Sequence, residues 1–148
     1  MNTLEELFEQ FNNLNVLIVG DVMIDSYLWG SVDRVSPEAP VPIVSVNNRE
    51  KRLGGAANVA LNIKAMGATP FLVSVIGDDT DGVEFENILQ KEEMPIDGLV
   101  KSNDRMTTIK HRIIASSQHI LRVDQEESHT LNDNDRVGLI DKVKLLIG

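Results

Sequence analysis

Cysteine is absent from this chain of 148 residues, so neither a disulfide framework nor a thiolate metal site can be built. That fits a reducing compartment, and a cytoplasmic location is expected. Cations are in deficit: 14 Lys and Arg face 23 Asp and Glu, a net charge of -9. Such a balance argues against general nucleic-acid binding, and any phosphate must be met by a local basic cluster. No apolar run approaches the roughly 20 residues of a membrane span. The first fifteen residues are acidic and amphipathic, without the basic start and continuous apolar core of a signal peptide. No membrane partner is therefore expected. Internal repeats and low-complexity linkers are also missing. Neither a Gly-x-Gly-x-x-Gly fingerprint nor a Walker-type Gly-x-x-x-x-Gly-Lys loop occurs, which disfavours a dinucleotide site and P-loop phosphate handling. The three histidines, His111, His119 and His129, lack metal-ligand spacing, and no metal site is expected.

What is present is a globular composition, 42% hydrophobic, in a length suited to one ordinary domain with a real core. Leu4, Leu7, Phe8, Phe11 and Leu14 mark an amphipathic first helix. Val16-Leu17-Ile18-Val19 reads as a short strand buried on both faces, ending at Gly20-Asp21. Helical spacing of Val59, Ile63 and Met66 predicts a helix from Gly55 to Met66, with Gly67 at its end. Thr69 to Ile76, closed by Gly77, is a β-rich apolar run. Asp78 to Glu93 reads as a helix capped by Asp79 or Thr80, Ile96 to Val100 as a strand, and Leu131 onward as a last helix with Asn132 or Asp133 at its start. This β, α, β, α alternation argues for a parallel α/β sheet. Four further extended segments, Ile24–Val32, Val41–Val46, Thr107–Ala115 and His119–Asp124, suit either a small second sheet or edge strands of the main one. Prolines 37, 40 and 42 confine their surroundings to a loop or an edge.

The candidate chemistry lies at the glycine-rich helix start. Glycines let a ligand approach the backbone, and a helix N-terminus offers unpaired N–H groups. Asn58, one turn in, carries a donor and an acceptor that suit a sugar hydroxyl. A bare Gly-Gly is better explained by small residues packing tightly than by a ligand. Asp21 follows a predicted strand, where ligands sit in open α/β sheets, although an Asp there is more often a turn or cap residue. Lys110 and Arg112 share one strand face and make a candidate phosphate clamp; a solvated edge strand explains them equally. Asp78-Asp79-Thr80-Asp81 reads as a cation site or a helix-start cluster. Tyr27 and Trp29, in the first of the four further extended segments, either pack there or stack on a sugar ring.

Gly54-Gly55-Ala56-Ala57-Asn58-Val59-Ala60, followed by Gly67 and Gly77, resembles the first signature of the ribokinase-like (PfkB-type) carbohydrate kinases. Gly20-Asp21-Val22-Met23-Ile24-Asp25 and Arg34-Val35-Ser36-Pro37-Glu38-Ala39-Pro40-Val41-Pro42 look like the heptose-phosphate kinase branch, which includes the kinase half of bifunctional ADP-heptose synthases. The resemblance runs from about Val16 to Asp124. It implies the N-terminal portion of a ribokinase-like α/β parallel-sheet sandwich over 1–148, with a small β-sheet lid formed by about 22–48 and 107–124. It implies ATP-dependent phosphorylation of a sugar phosphate, D-glycero-D-manno-heptose 7-phosphate at its anomeric hydroxyl, feeding ADP-heptose and lipopolysaccharide core synthesis. Ribose, fructose 6-phosphate, or a non-catalytic sugar-binding or dimerisation module are the alternatives. Asp21, Gly54, Gly55 and Asn58 would hold hydroxyls, with Asp25 a weaker second acceptor. Lys110 and Arg112 would hold the distal phosphate, with Arg34 a further contributor, here or at a neighbouring subunit's site. The resemblance also implies a homodimer through the lid. The family's second signature, Asp-Thr-x-Gly-Ala-Gly-Asp-like, supplies the catalytic base and anion hole and does not occur here. The chain is thus expected to be the N-terminal half of a longer kinase, with no catalytic residue of its own and with ATP and Mg2+ bound mainly by the other half.

Overall fold

A computed structural model describes residues 3–148. Thr3 opens helix α1 (Leu4–Phe11) through a capping box with Glu6. The first strand, β1 (Asn15–Val19), leads directly into two long strands, β2 (Val22–Val35) and β3 (Pro42–Gly55). Helix α2 (Ala56–Ala65), strand β4 (Thr69–Gly77), helix α3 (Thr80–Lys91) and strand β5 (Leu99–Ser102) follow. Strands β6 (Ile109–Ala115) and β7 (Gln118–Gln125) precede the last helix, α4 (Asp133–Ile147).

These strands form two sheets. One is parallel and three-stranded, in the order β1-β4-β5. The other is four-stranded, in the order β3-β2-β6-β7, with β2 and β6 parallel and both outer pairs antiparallel. The four extended segments of the sequence therefore build a sheet of their own rather than edges of the main one. Its base is anchored by Ile24, Leu53 and Ile109, which are buried in one core with Leu72, Ile76, Phe85 and Leu89 of the body. Ala57 and Ala60, both fully buried, let α2 sit close against that core. Asp79 caps α3 by accepting from the Gly82 N–H at 2.6 Å, and Asn132 caps α4 by accepting from the Asp135 N–H at 2.7 Å.

Three expectations are corrected. Strand β1 is not buried on both faces: its two ends are exposed, Val19 to 50%, and among the described residues it pairs with β4 alone. Strand β3 runs on to Gly55, so the glycine pair ends a strand and the helix begins at Ala56. The strand expected from Ile96 starts at Leu99, because Leu99 N–H donates to the Ile96 carbonyl and closes a turn across Asp97-Gly98. The amphipathic pattern of α1 is present, yet no described residue of that helix is buried, and Leu4, Leu7 and Phe8 face outward.

Candidate functional site

The junction of β1 and β2 meets the head of α2. Gly20 follows β1, and the Asp21 carbonyl accepts a hydrogen bond of 2.8 Å from the Ala56 N–H. This bond ties the end of the first strand to the first turn of the helix. Gly55 makes the approach possible: its backbone, at φ 59° and ψ -135°, is one that only glycine adopts readily, and a Cβ there would collide with the Asp21 carbonyl. At Gly54 a Cβ would stand 2.7 Å from Asp25 Oδ2 and 2.7 Å from Met23 Cγ. Among the described residues no side chain caps α2, so none of their carboxylates or hydroxyls claims its first-turn donors. Asp21 and Asn58 are both exposed. Asp21, Gly54, Gly55 and Asn58 therefore gather at one helix head, with Asp25 adjoining through Gly54.

Beside this cluster lies an open cleft of about 590 Å3 whose lining includes Gly20, Asp21, Met23, Arg105, Glu127 and His129. It sits at the carboxyl ends of β1 and β4, the usual ligand position in an open parallel sheet. Arg105 donates to the Glu127 carbonyl at 3.3 Å, and His129 Nδ1 stands 3.2 Å from Glu127 Oε2.

The four-stranded sheet presents a charged face on the same side as Met23 and Gly54, as strand alternation requires. Register places Arg52, Asp25, Lys110 and Asp124 in one row across β3, β2, β6 and β7. The next row is Glu50, Tyr27, Arg112 and Arg122. Both candidate clamp cations are already partnered. Arg112 is hydrogen-bonded to Asp25, and Lys110 reaches Glu126 at 2.8 Å and Asp124 at 3.2 Å. The hydrogen bond to Asp25 raises the Arg112 pKa, and the bonds that Lys110 donates to Glu126 and Asp124 raise its own. Burial pushes the Asp124 carboxyl up, but hydrogen bonding from Lys110 and the charge of Arg122 outweigh it and leave the group below its ordinary value. Asp25 is thus the counter-ion of Arg112 as the sheet stands, and not a free hydroxyl acceptor.

Arg34 is not brought to the cluster. It is exposed near the far end of β2, opposite Ile43, nine residues beyond Asp25 and so about 30 Å along the strand. Conversely, one residue outside the sequence-derived set, Arg52, lies beside it, against the Tyr27 ring. The Arg52 guanidinium carbon stands 4.9 Å from the Tyr27 ring centre, and that of Arg112 stands 5.4 Å from the same centre. The signal for Arg52 was its spacing, two positions before Gly54 and hence on the same strand face. It is legible only once β3 is carried through to Gly55. Among the described residues, no three carboxylate or imidazole groups converge as a metal site.

The comparison with known proteins accords with this architecture. Residues 13–147 match the profile of the pfkB family carbohydrate kinases. The chain is 48% identical over 128 residues to the bifunctional protein HldE of Helicobacter acinonychis, covering 86% of this chain and 28% of that protein. Its fold resembles that of phosphofructokinase-2 from Escherichia coli in complex with fructose-6-phosphate, with a TM-score of 0.65 at 17% identity over 89% of this chain and 41% of the other. It also resembles a sugar kinase from Pyrococcus horikoshii in complex with ATP, with a TM-score of 0.53 at 25% identity over 82% of this chain and 38% of the other. The chain belongs to the pfkB family of carbohydrate kinases and has its ribokinase-like α/β fold. It spans about 28% of the length of the curated relatives it matches.

Proposed function

We propose that this member of the pfkB family forms the sugar side of a kinase that transfers a phosphoryl group from ATP to D-glycero-D-manno-heptose 7-phosphate, at the anomeric hydroxyl. The observation that carries the reading is the gathering of Asp21, Gly54, Gly55 and Asn58 at the head of α2, in a chain 48% identical to an HldE protein. The Ser36-Pro37-Glu38-Ala39-Pro40 segment supports the heptose-phosphate branch over ribose or fructose 6-phosphate.

In this reading Asp21 accepts a hydrogen bond from a sugar hydroxyl, and Asn58 contributes a donor and an acceptor. Gly54 and Gly55 keep that wall free of side chains, so the sugar meets backbone. Arg112 and Lys110 supply positive charge for the distal phosphate. The four-stranded sheet acts as a lid that keeps water from the reacting hydroxyl and so limits wasteful hydrolysis of ATP. The described residues offer neither a carboxylate cluster for Mg2+ nor a glycine-rich loop of the phosphate-cradling type. In this reading ATP with its Mg2+, and the catalytic base, belong to the remainder of a longer polypeptide, as the greater length of the HldE relatives supports, and no residue of this chain is assigned proton transfer. The reverse face of the lid carries the half-buried Leu28 and Ile113 and the exposed Leu121 and Val123, a surface suited to a homodimer. Arg34, at the far end of the lid, would serve a partner's site in such a dimer. The reaction is cytoplasmic in this reading.

The test is ADP release from ATP and Mg2+ by this chain and by the uninterrupted natural reading frame, with heptose 7-phosphate, fructose 6-phosphate and ribose as acceptors. Turnover by the longer protein with the heptose phosphate alone is expected, together with a loss of about tenfold or more in kcat/KM for Asp21→Asn and Asn58→Ala. Turnover with another sugar keeps the fold and moves the substrate. No turnover in either protein, with saturable sugar-phosphate binding in both, overturns the kinase reading and leaves a sugar-binding module.

A further inference from the structure

The charged face of the lid holds more than the two cations that the sugar-phosphate reading uses. Lys110 is committed to two carboxylates, Asp124 and Glu126, and its side chain is mostly buried between them. Arg52 is bound to one, Glu50, through two parallel hydrogen bonds of 2.6 and 2.9 Å, and its side chain is 55% exposed. Arg112 is likewise bound to one, Asp25. Arg52 and Arg112 approach the same Tyr27 ring from the two strands that flank β2. Tyr27 in turn stacks on Trp29, with ring centres 5.9 Å apart and planes 14° apart. The Tyr27 ring holds both guanidiniums in place before a ligand arrives and can keep them there once the carboxylates are exchanged, which lowers the cost of binding.

We propose that Arg52 and Arg112, flanking Tyr27, form the phosphate clamp of this protein, and that Arg52 is a substrate-binding residue. The proposal rests on the sugar-phosphate reading for the identity of its ligand. A phosphate monoester dianion takes the place of two carboxylates: its oxygens accept from both guanidinium forks, the geometry for which arginine is best suited. The Glu50 side chain is 40% exposed and turns into water when released. Asp25 has a different fate. Freed from Arg112 and adjoining Gly54, it becomes available to accept from a sugar hydroxyl, so the phosphate and the sugar are read by one exchange of partners.

Trp29 is the sole tryptophan of the chain and reports on this stack. The experiment is a fluorescence titration of this chain with inorganic phosphate and with heptose 7-phosphate, in the native sequence and in Arg52→Gln, Arg52→Lys and Arg49→Gln. Arg49 pairs with Leu28 and lies on the opposite face of the same strand, so it controls for loss of charge alone. A saturable change in Trp29 emission is expected with both ligands. Arg52→Gln should raise the apparent Kd about tenfold or more, Arg52→Lys should restore part of the loss, and Arg49→Gln should leave it unaltered. Equal weakening by Arg49→Gln and Arg52→Gln overturns the clamp, as does heptose 7-phosphate binding seen by calorimetry with Kd unchanged in Arg52→Gln. The kinase reading survives either failure. Binding of phosphate through Arg52 without turnover in the longer protein leaves the clamp standing and removes the kinase.

Discussion

Asp79 shows how much a single carboxylate does at the joint between the body and the four-stranded sheet. It accepts from the Gly82 N–H, from the Thr107 N–H at 2.8 Å and from the Thr107 hydroxyl at 2.8 Å, while that hydroxyl accepts from the Gly77 N–H at 3.0 Å. The end of β4, the head of α3 and the approach to β6 are thereby held by one group. Burial pushes its pKa up, but the bonds from Thr107 and Gly82 outweigh this, and the carboxyl lies below its ordinary value. A carboxyl depressed in the folded state stabilises the fold above its unfolded pKa, about 3.9. That contribution is lost as pH falls through the lower folded value. Asp79→Ala should therefore cost about 2–3 kcal/mol at neutral pH by urea denaturation. Its stability should also fall less steeply than the native protein's below about pH 4. Gly55→Ala is the second prediction at this scale. It forces a side chain into a glycine-only backbone region against the Asp21 carbonyl, and should cost about 2–3 kcal/mol in the same assay. At this scale the Asp79 cap and the place of Asn58 in the first turn of α2 were legible in the sequence, because each follows from local backbone chemistry. That Asp25 and Arg112 neutralise each other was not legible, since 87 positions separate them and only sheet register brings them together.

Among the elements, the β6–β7 hairpin gives the most direct test. Ser116 and Ser117 both have positive φ, 50° and 63°, the signature of a two-residue type I′ turn. Serine has a Cβ that resists this conformation, whereas Asn-Gly accepts it. The double substitution Ser116→Asn, Ser117→Gly should stabilise the chain by about 0.5–1 kcal/mol, read as a rise in Tm. The turn was legible because two β-favouring runs flank a pair of serines. The length of β3 was not. Asn47-Asn48-Arg49-Glu50-Lys51-Arg52 is polar on both faces and carries no alternation, and it is held as a strand by its partner β2 rather than by its own pattern. Losing that stretch concealed Arg52. In β1, four apolar residues in succession suggested burial on both faces, but a run this short does not reveal how many neighbours the strand has.

At the scale of the whole molecule, the arrangement of helices about the three-stranded sheet carries a directional argument. Leu72 and Ile76 of β4 share one face of the sheet with Leu99 and pack with Ala57 of α2 and Phe85 of α3. Val75 and Val100 lie on the other face, where a Cβ on Gly138 of α4 would stand 3.2 Å from Val100, and where Ser102 donates to buried Asp135 at 2.7 Å. Helices α2 and α3 thus cover one face and α4 the opposite one. Parallel crossovers are right-handed, so the steps β1 to β4 to β5 proceed in one direction with helices on the first face. A crossover through α4, on the second face, proceeds the other way and delivers its strand to the free edge of β1. That edge is apolar, exposes Val19 and borders the cleft beside Asp21. A longer polypeptide of the proposed kinase should therefore place its next parallel strand against Asn15–Val19, and the candidate sugar cluster would then stand where the strand order reverses, the position at which open α/β sheets bind ligands. Hydrogen exchange tests this. Amides of β1 with no partner in this chain should become slowly exchanging in the longer protein, while those already bonded to β4 change little. This chain alone should also bind an apolar dye and self-associate as concentration rises, through the same edge and the exposed faces of α1 and α4. Unchanged exchange along β1 in the longer protein would place the added strand elsewhere.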